Sequence, residues 1–370
     1  KVSGNGGGGA IALDDSKCVV DMYGGEISGN NGNKSGGAIF LNSADKKGGT
    51  VNIYGGTIAN NKAQNGGVIY SSCGGTVNLV GGTITGNNAT NGDGGVINMA
   101  GGTVTISGAK LTGNTSSRYG GAVYLYNGVT ATMTGGEISG NQAASEGGAV
   151  HVYGTSTFNL SGGKITGNSS VDGGAIYLNR EPSVLNMSGG VISGNTATGN
   201  GGGVYIFRTG SVCNLSGGTI NAYTTDGDGF DSNGTMTISG GTICVWTANT
   251  ADNQPLDADG TITITGGTVL AAGGSAGMGM KLSVSQPYVT FGQSGSMQPR
   301  GGGADALISN GSTLAIWDET DTLFSMEAPC SARFVFYSSP ELTEDGSYTL
   351  LSDGENAGTA EAVSYTHLTL

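Results

Sequence analysis

The sequence predicts an all-β chain, a right-handed parallel β-helix with three strands and about 27 residues per coil, and three observations carry that prediction. A phrase of the form Gly-Gly-x-Ile recurs along the 370 residues with its first glycine at 24, 55, 81, 108, 135, 162, 189, 217, 240 and 266; Gly-Ala-Lys-Leu and Gly-Gly-Thr-Val stand in for it at 108 and 266. The 74 glycines are therefore periodic, and a period of this size marks a solenoid whose repeats bury their apolar faces only against neighbours. The residues around each glycine pair also alternate apolar and polar, as half-buried strands do.

The first strand precedes the pair. Four and two residues before it lie Val20/Met22, Val51/Ile53, Val77/Leu79, Val104/Ile106, Ala131/Met133, Phe158/Leu160, Leu185/Met187, Cys213/Leu215, Met236/Ile238 and Ile262/Ile264, with Asp, Asn or Thr between them. A short second strand follows the pair, with one inward residue per coil (Ile27, Ile58, Ile84, Leu111, Ile138, Ile165, Ile192, Ile220, Ile243, Val269), and a Gly-Asn turn usually ends it. The third strand is read at GGAIAL (8–13), GGAIFL (36–41), GGVIYS (66–71), GGVINM (94–99), GGAVYL (120–125), GGAVHV (147–152), GGAIYL (173–178) and GGVYIF (202–207). Each strand then pairs with its counterpart one coil away, about 4.8 Å along the axis, and right-handed crossover is the rule for such connections. Glycine pairs are expected to turn corners where a Cβ would clash. Asn30, Asn60, Asn87, Asn114, Asn141, Asn168 and Asn195 are expected to stack as a ladder that satisfies turn backbone.

The expected organisation is a β-helix over 1–280, truncated at its N-terminal side because the chain opens inside a repeat, and a small C-terminal β module over 281–361. AVSYTHLTL (362–370) resembles the translation of a library-preparation adapter and is expected to be an assembly scar that packs on nothing, which removes His367 from consideration. The net charge of −13 argues against nucleic acid and anionic membrane as partners, since both need a basic footprint. No run of about 18 apolar residues is present, so no membrane insertion is expected. The five cysteines (Cys18, Cys73, Cys213, Cys244, Cys330) lack metal-ligand spacing and are read as buried small hydrophobes.

From about Ala222 the coils change character. Asp228–Gly234, Thr237–Thr242, Leu256–Gly260 and Ile264–Gly274 match a string of Asp-Ser-Asn-Gly, TISGGT, LDADG and ITGGT motifs. That string resembles the core of bacterial secreted proteins named as carbohydrate-binding domain-containing, and the glycine-rich N-terminal coils resemble surface β-helix repeats, including adhesin-like ones. The resemblance covers about a third of the chain. It implies carbohydrate binding outside the cell or on its wall.

Catalysis needs a constellation, and few candidates exist. Glu146 and Asp172 hold the same position in adjacent coils, a spacing suited to calcium or to a retaining acid and nucleophile pair, although acidic residues before Gly-Gly corners are ordinary turn formers. Asp226, Asp228 and Asp231 resemble a calcium loop only in passing, because no Glu closes it. No cofactor is expected, calcium being the one cation considered, and no catalytic residue or metal ligand is assigned.

The informative deviation is on the third strand. Its outward residues are Ala12, Phe40, Tyr70, Asn98, Tyr124, His151, Tyr177 and Tyr205, and a second outward column adds Tyr126, Tyr153 and Phe207 with Asn179 between. Like aromatics stack favourably on strand surfaces without any ligand. As a binding face, however, Tyr124, Tyr126, His151, Tyr153, Tyr177, Tyr205 and Phe207 offer rings to sugars, with Arg180 and Arg208 placed to donate hydrogen bonds. The sequence therefore points to a non-catalytic binder of polysaccharide or glycan, extracellular or cell-wall associated. The rivals are a structural adhesin stalk that binds proteins and a β-helix polysaccharide lyase or hydrolase.

Overall fold

The computed structural model describes residues 7–43, 47–248, 253–274, 281–292 and 306–364, together with the backbone of 368–369. Ten parallel strands, from Ile11–Leu13 through Val123–Tyr126, Val150–Tyr153, Ile176–Asn179 and Val204–Ile206 to Leu256–Ala258, stack in chain order as one sheet. The architecture is the expected right-handed solenoid with a separate C-terminal sheet.

Register follows the repeat residue by residue. Val123, Val150, Ile176 and Val204 stack in one column, and Leu125, Val152, Leu178 and Ile206 in another. The post-glycine column is fully buried from Ile58 to Val269; only Ile27, in the first complete coil, is half-buried. The apolar pairs before each glycine pair are buried as well, apart from the half-buried Val20 in that same end coil, whose strand pairs with one strand, Thr50–Ile53, among the described residues. Burying an Ile or Leu is worth about 1.5–3 kcal/mol, so these columns supply the main drive for closure.

Three details differ from the expectation. The first and second strands belong to one sheet, and in the later coils they fuse into continuous strands such as Thr130–Ser139 and Thr157–Thr166. There the glycine pair makes a bulge, a register shift between Met133 and Glu137, rather than a corner. The third parallel sheet is instead a stack of two-residue strands just after the Asn turn, from Lys62–Ala63 to Thr196–Ala197, too short to leave a periodic signal. True corners lie before the third strand. Gly147 has φ of 68°, and a Cβ on Gly148 would run into the carbonyl oxygen of Gly174 one coil on.

The asparagine ladder exists, with one substitution. Asn61, not Asn60, takes its place between Asn30 and Asn87. In that coil Asn60 fills the position that Gly29, Gly86 and Gly113 hold elsewhere and adopts φ of 55°, a left-handed conformation that Asn tolerates, which moves the ladder residue one place on.

Toward the C-terminus, Lys281–Val284 adds a parallel rung on Ile262–Ile264, and Phe334–Ser338 pairs antiparallel with Val269–Gly273 and Tyr288–Gly292. A second core around Trp246, Leu270, Val289, Tyr337 and Leu350 joins the solenoid edge to a four-stranded antiparallel sheet. The expectation that 362–370 packs on nothing fails at several residues. Ala362 is buried in the second core, Val363 exchanges backbone hydrogen bonds with Tyr288, and Leu368–Thr369 pairs with Lys281–Leu282. The physical reason is available edge: those strands leave unpaired backbone groups that an extended tail satisfies. His367 lies outside the described residues. Cys213, Cys244 and Cys330 are buried as expected, whereas Cys18 is exposed and Cys73 half-buried.

Candidate functional site

The outward columns of the ten-stranded sheet assemble the aromatic face. Tyr124, His151, Tyr177 and Tyr205 are consecutive partners across four coils, and Tyr153 pairs with Asn179 beside them. Their direction is as alternation requires, since the residues on either side are in the core.

Their accessibility is not as expected. Tyr124 is 9% exposed, Tyr205 6%, Tyr177 2% and His151 0%. Facing away from the solenoid core does not leave them open, because a second layer covers them. On one flank the residues preceding the strand, Tyr119, Glu146 and Asp172, form their own bridged column. Tyr119 meets His151 edge-on at 4.9 Å and 88°. On the other flank Tyr126 lies 5.3 Å from Tyr124, and Phe207 lies 6.0 Å from Tyr177. The rings interlock in a herringbone rather than a flat ladder, with His151 to Tyr177 at 84° and Tyr177 to Tyr205 at 87°. Such edge-to-face pairs add about 0.5–1.5 kcal/mol each beyond their buried area, so this layer is a satellite core.

What stays accessible is its rim. Tyr126, Tyr153 and Phe207 are half-buried, and Arg180 and Arg208 are exposed. Arg180 Nη1 donates to the Tyr153 hydroxyl at 2.7 Å, and the Arg208 guanidinium lies 4.3 Å from the Phe207 ring centroid. All nine residues singled out from the sequence thus gather on one face, four in the closed layer and five along the rim.

Beneath the rim lie polar atoms that the sequence did not reveal. His151 is enclosed with both ring nitrogens lacking a hydrogen-bond partner, and its Nε2 is 3.7 Å from Glu146 Oε2. Burial pushes His151 down to about 3, with the Arg118 charge acting in the same direction, so the ring is neutral. Burial, reinforced by the charge of Asp172 in the next coil, pushes the Glu146 carboxyl up to about 6, although a hydrogen bond from Asn179 opposes it. Asp93 Oδ1 and Asn98 Oδ1 are likewise buried without hydrogen bonds, Asp93 lying 3.5 Å from Arg118 Nε.

The column continues past Tyr205 as Asp231 and Asp257. Burial first, then the charges of Asp228 and Asp257, push Asp231 up to about 8; burial likewise pushes Asp228 up to about 6. Asp226, which the loop likeness grouped with these two, is exposed. Asp257 is not legible from the repeat because its strand carries no Gly-Gly signature, yet it follows Asp231 by one coil length. Among the described residues no group of three His, Cys, Asp or Glu side chains is arranged to hold a metal ion. No described helix is long and apolar enough to cross a membrane. A shallow groove lined by Lys110, Glu137 and Lys164 runs along the glycine bulges, but it has none of the rings or orphaned polar atoms of the aromatic face. No protein-family model, curated protein or solved structure matches this chain.

Proposed function

We propose that the protein binds carbohydrate without turning it over, outside the bacterial cell or on its wall, through the rim of the aromatic face. The observation that carries this reading is the pairing of half-exposed rings with exposed guanidiniums, Tyr153 with Arg180 and Phe207 with Arg208, on a rigid interlocked layer. Rings accept the apolar face of a pyranose and guanidiniums donate to its hydroxyls. A preorganised support lowers the ordering cost of binding. The coil rise of about 4.8 Å sets rim positions in a line that suits an extended chain.

The rim, not the closed layer, is the place to test it. The double variant Tyr153→Ala with Phe207→Ala should lose about 1–3 kcal/mol of glycan affinity, the range for stacking on flat ligands, while the protein stays folded and its melting temperature falls less than on loss of a closed-layer ring. Tyr177→Ala should instead lower stability, because that ring is buried. Unchanged affinity of the double variant for every glycan that the parent binds on an array would overturn the reading. Binding to protein ligands alone would favour the adhesin rival.

One observation favours a second reading, a polysaccharide-acting enzyme. Glu146 has a carboxyl pushed up to about 6, the range of a general acid at neutral pH, and an acidic neighbour in the adjacent coil. That reading expects the parent to release new chain ends from a polysaccharide and Glu146→Gln to abolish the release. An inactive parent on acidic and neutral glycans alike would remove it.

A further inference from the structure

Arg180 is the least expected side chain on this face. Its φ is 66°, the left-handed region. In the three preceding coils the residue following the outer column is Gly101, Asn127 and Gly154, with φ of 68°, 55° and 65°. Gly and Asn tolerate that conformation; a long side chain with a Cβ does so only under strain, and retained strain points to a use. The guanidinium is held in place by its hydrogen bond to the Tyr153 hydroxyl and lies 5.5 Å from that ring's centroid. One coil on, at the same offset from the strand, Arg208 lies over Phe207.

The chain has 14 basic residues against 27 acidic ones, yet three of its five arginines, Arg118, Arg180 and Arg208, lie on this face. Arg118 sits against Asp93. Arg180 and Arg208 have no carboxylate within 4.0 Å among the described residues. The Arg180 guanidinium is held at Tyr153 and that of Arg208 at Phe207, both exposed on one rim of an otherwise acidic chain, and an anion reaching this rim is attracted by both charges. Guanidinium forks match the planar or tetrahedral oxygens of carboxylate and sulfate groups, and a cation that rests on a ring is already oriented to donate.

We propose that Arg180 and Arg208 form an anion subsite on the rim and that the ligand is an acidic polysaccharide. Its carboxylate or sulfate group lies between the two guanidiniums while an adjacent sugar ring rests on Tyr153. The assignment rests on the carbohydrate-binding reading and narrows it.

The test measures binding of the full chain to polygalacturonate, dextran sulfate and neutral dextran at one low ionic strength, for the parent and for Arg180→Gly and Arg208→Gln. The parent should prefer at least one anionic polymer to dextran, and whether the carboxylate or the sulfate polymer responds identifies the oxyanion. Each variant should weaken that binding by about tenfold or more, a loss of the size expected for a charge-assisted fork, and weaken dextran binding by a clearly smaller factor, since a neutral sugar offers the guanidinium only hydroxyl acceptors. Arg180→Gly should melt no lower than the parent, since it restores the residue that the backbone prefers; this separates lost contact from lost fold. Equal losses on dextran and the anionic polymer, or no loss on either, would overturn the subsite. If dextran binding depends on Tyr153 and Phe207 while the arginine variants are silent, the subsite alone fails. If the parent binds none of the polymers, the carbohydrate reading fails and takes the subsite with it.

Discussion

Asn141→Ala should destabilise the protein by about 4 kcal/mol, since four hydrogen bonds at roughly 1 kcal/mol each are lost. Asn141 is fully buried, and its Oδ1 accepts from both the backbone N and Nδ2 of Asn114, at 2.9 Å each. Its own Nδ2 donates to Leu111 O and to Asn168 Oδ1, also at 2.9 Å. Alanine leaves the Asn114 backbone N–H and one of the two Asn114 Nδ2 hydrogens unpaired in the interior and removes the side-chain donor to Leu111 O. Asn60→Gly is the control. That residue lies off the ladder at φ of 55°, so glycine there should be neutral or stabilising. Denaturant unfolding of both variants checks the pair. An Asn141→Ala protein as stable as the parent would mean that the ladder is incidental.

The contribution of Asp231 to stability should fall as pH rises from about 4 to 8, the reverse of what a typical salt-bridged aspartate produces. Its folded value of about 8 lies above the 3.8 of the unfolded chain, so the native state holds a proton there that the unfolded state releases. That contribution is intact below 3.8 and is lost as pH climbs through 8. At roughly 1.4 kcal/mol per pKa unit the loss is on the order of a few kcal/mol, shared with Asp228 and Asp257. His151 works from the other side: with a folded value of about 3 against 6.5 it must gain a buried charge as pH falls, and stability drops between those values. Between about 3.8 and 6.5 the two effects oppose each other, so the clear alkaline fall lies from about 6.5 to 8 and the clear acid fall from about 3.8 down to 3. Asp231→Asn should raise the melting temperature at pH 9 and flatten the alkaline limb while leaving the acid limb in place. An Asp231→Asn protein that melts lower than the parent at pH 9 would show that the carboxylate is stabilised rather than strained.

These two sites also show where sequence reasoning succeeds and stops. Ile138, Ile165 and Ile192 are legible because a period of two within strands and about 27 between coils leaves each of them only one place to go. The ladder is legible as a motif, but its member in the second full coil is not, since Asn60 and Asn61 are adjacent and only backbone conformation decides which one stacks. Outward direction is legible for Tyr124, His151, Tyr177 and Tyr205, whereas their covering is not. Alternation reports which face a side chain takes and carries no information about the Tyr119, Glu146 and Asp172 column that folds across it. Asp257 and the orphaned nitrogens of His151 depend on contacts between coils, which no local pattern encodes.

A crystal structure of the chain soaked with an oligosaccharide of the polymer it binds best decides whether a sugar sits on the rim of the aromatic face. Ordered sugar is expected against Tyr153 and Phe207, with a charged or hydroxyl substituent held by Arg180 and Arg208. Ordered sugar elsewhere with this rim empty, whether along the glycine bulges or on the C-terminal sheet, would contradict it.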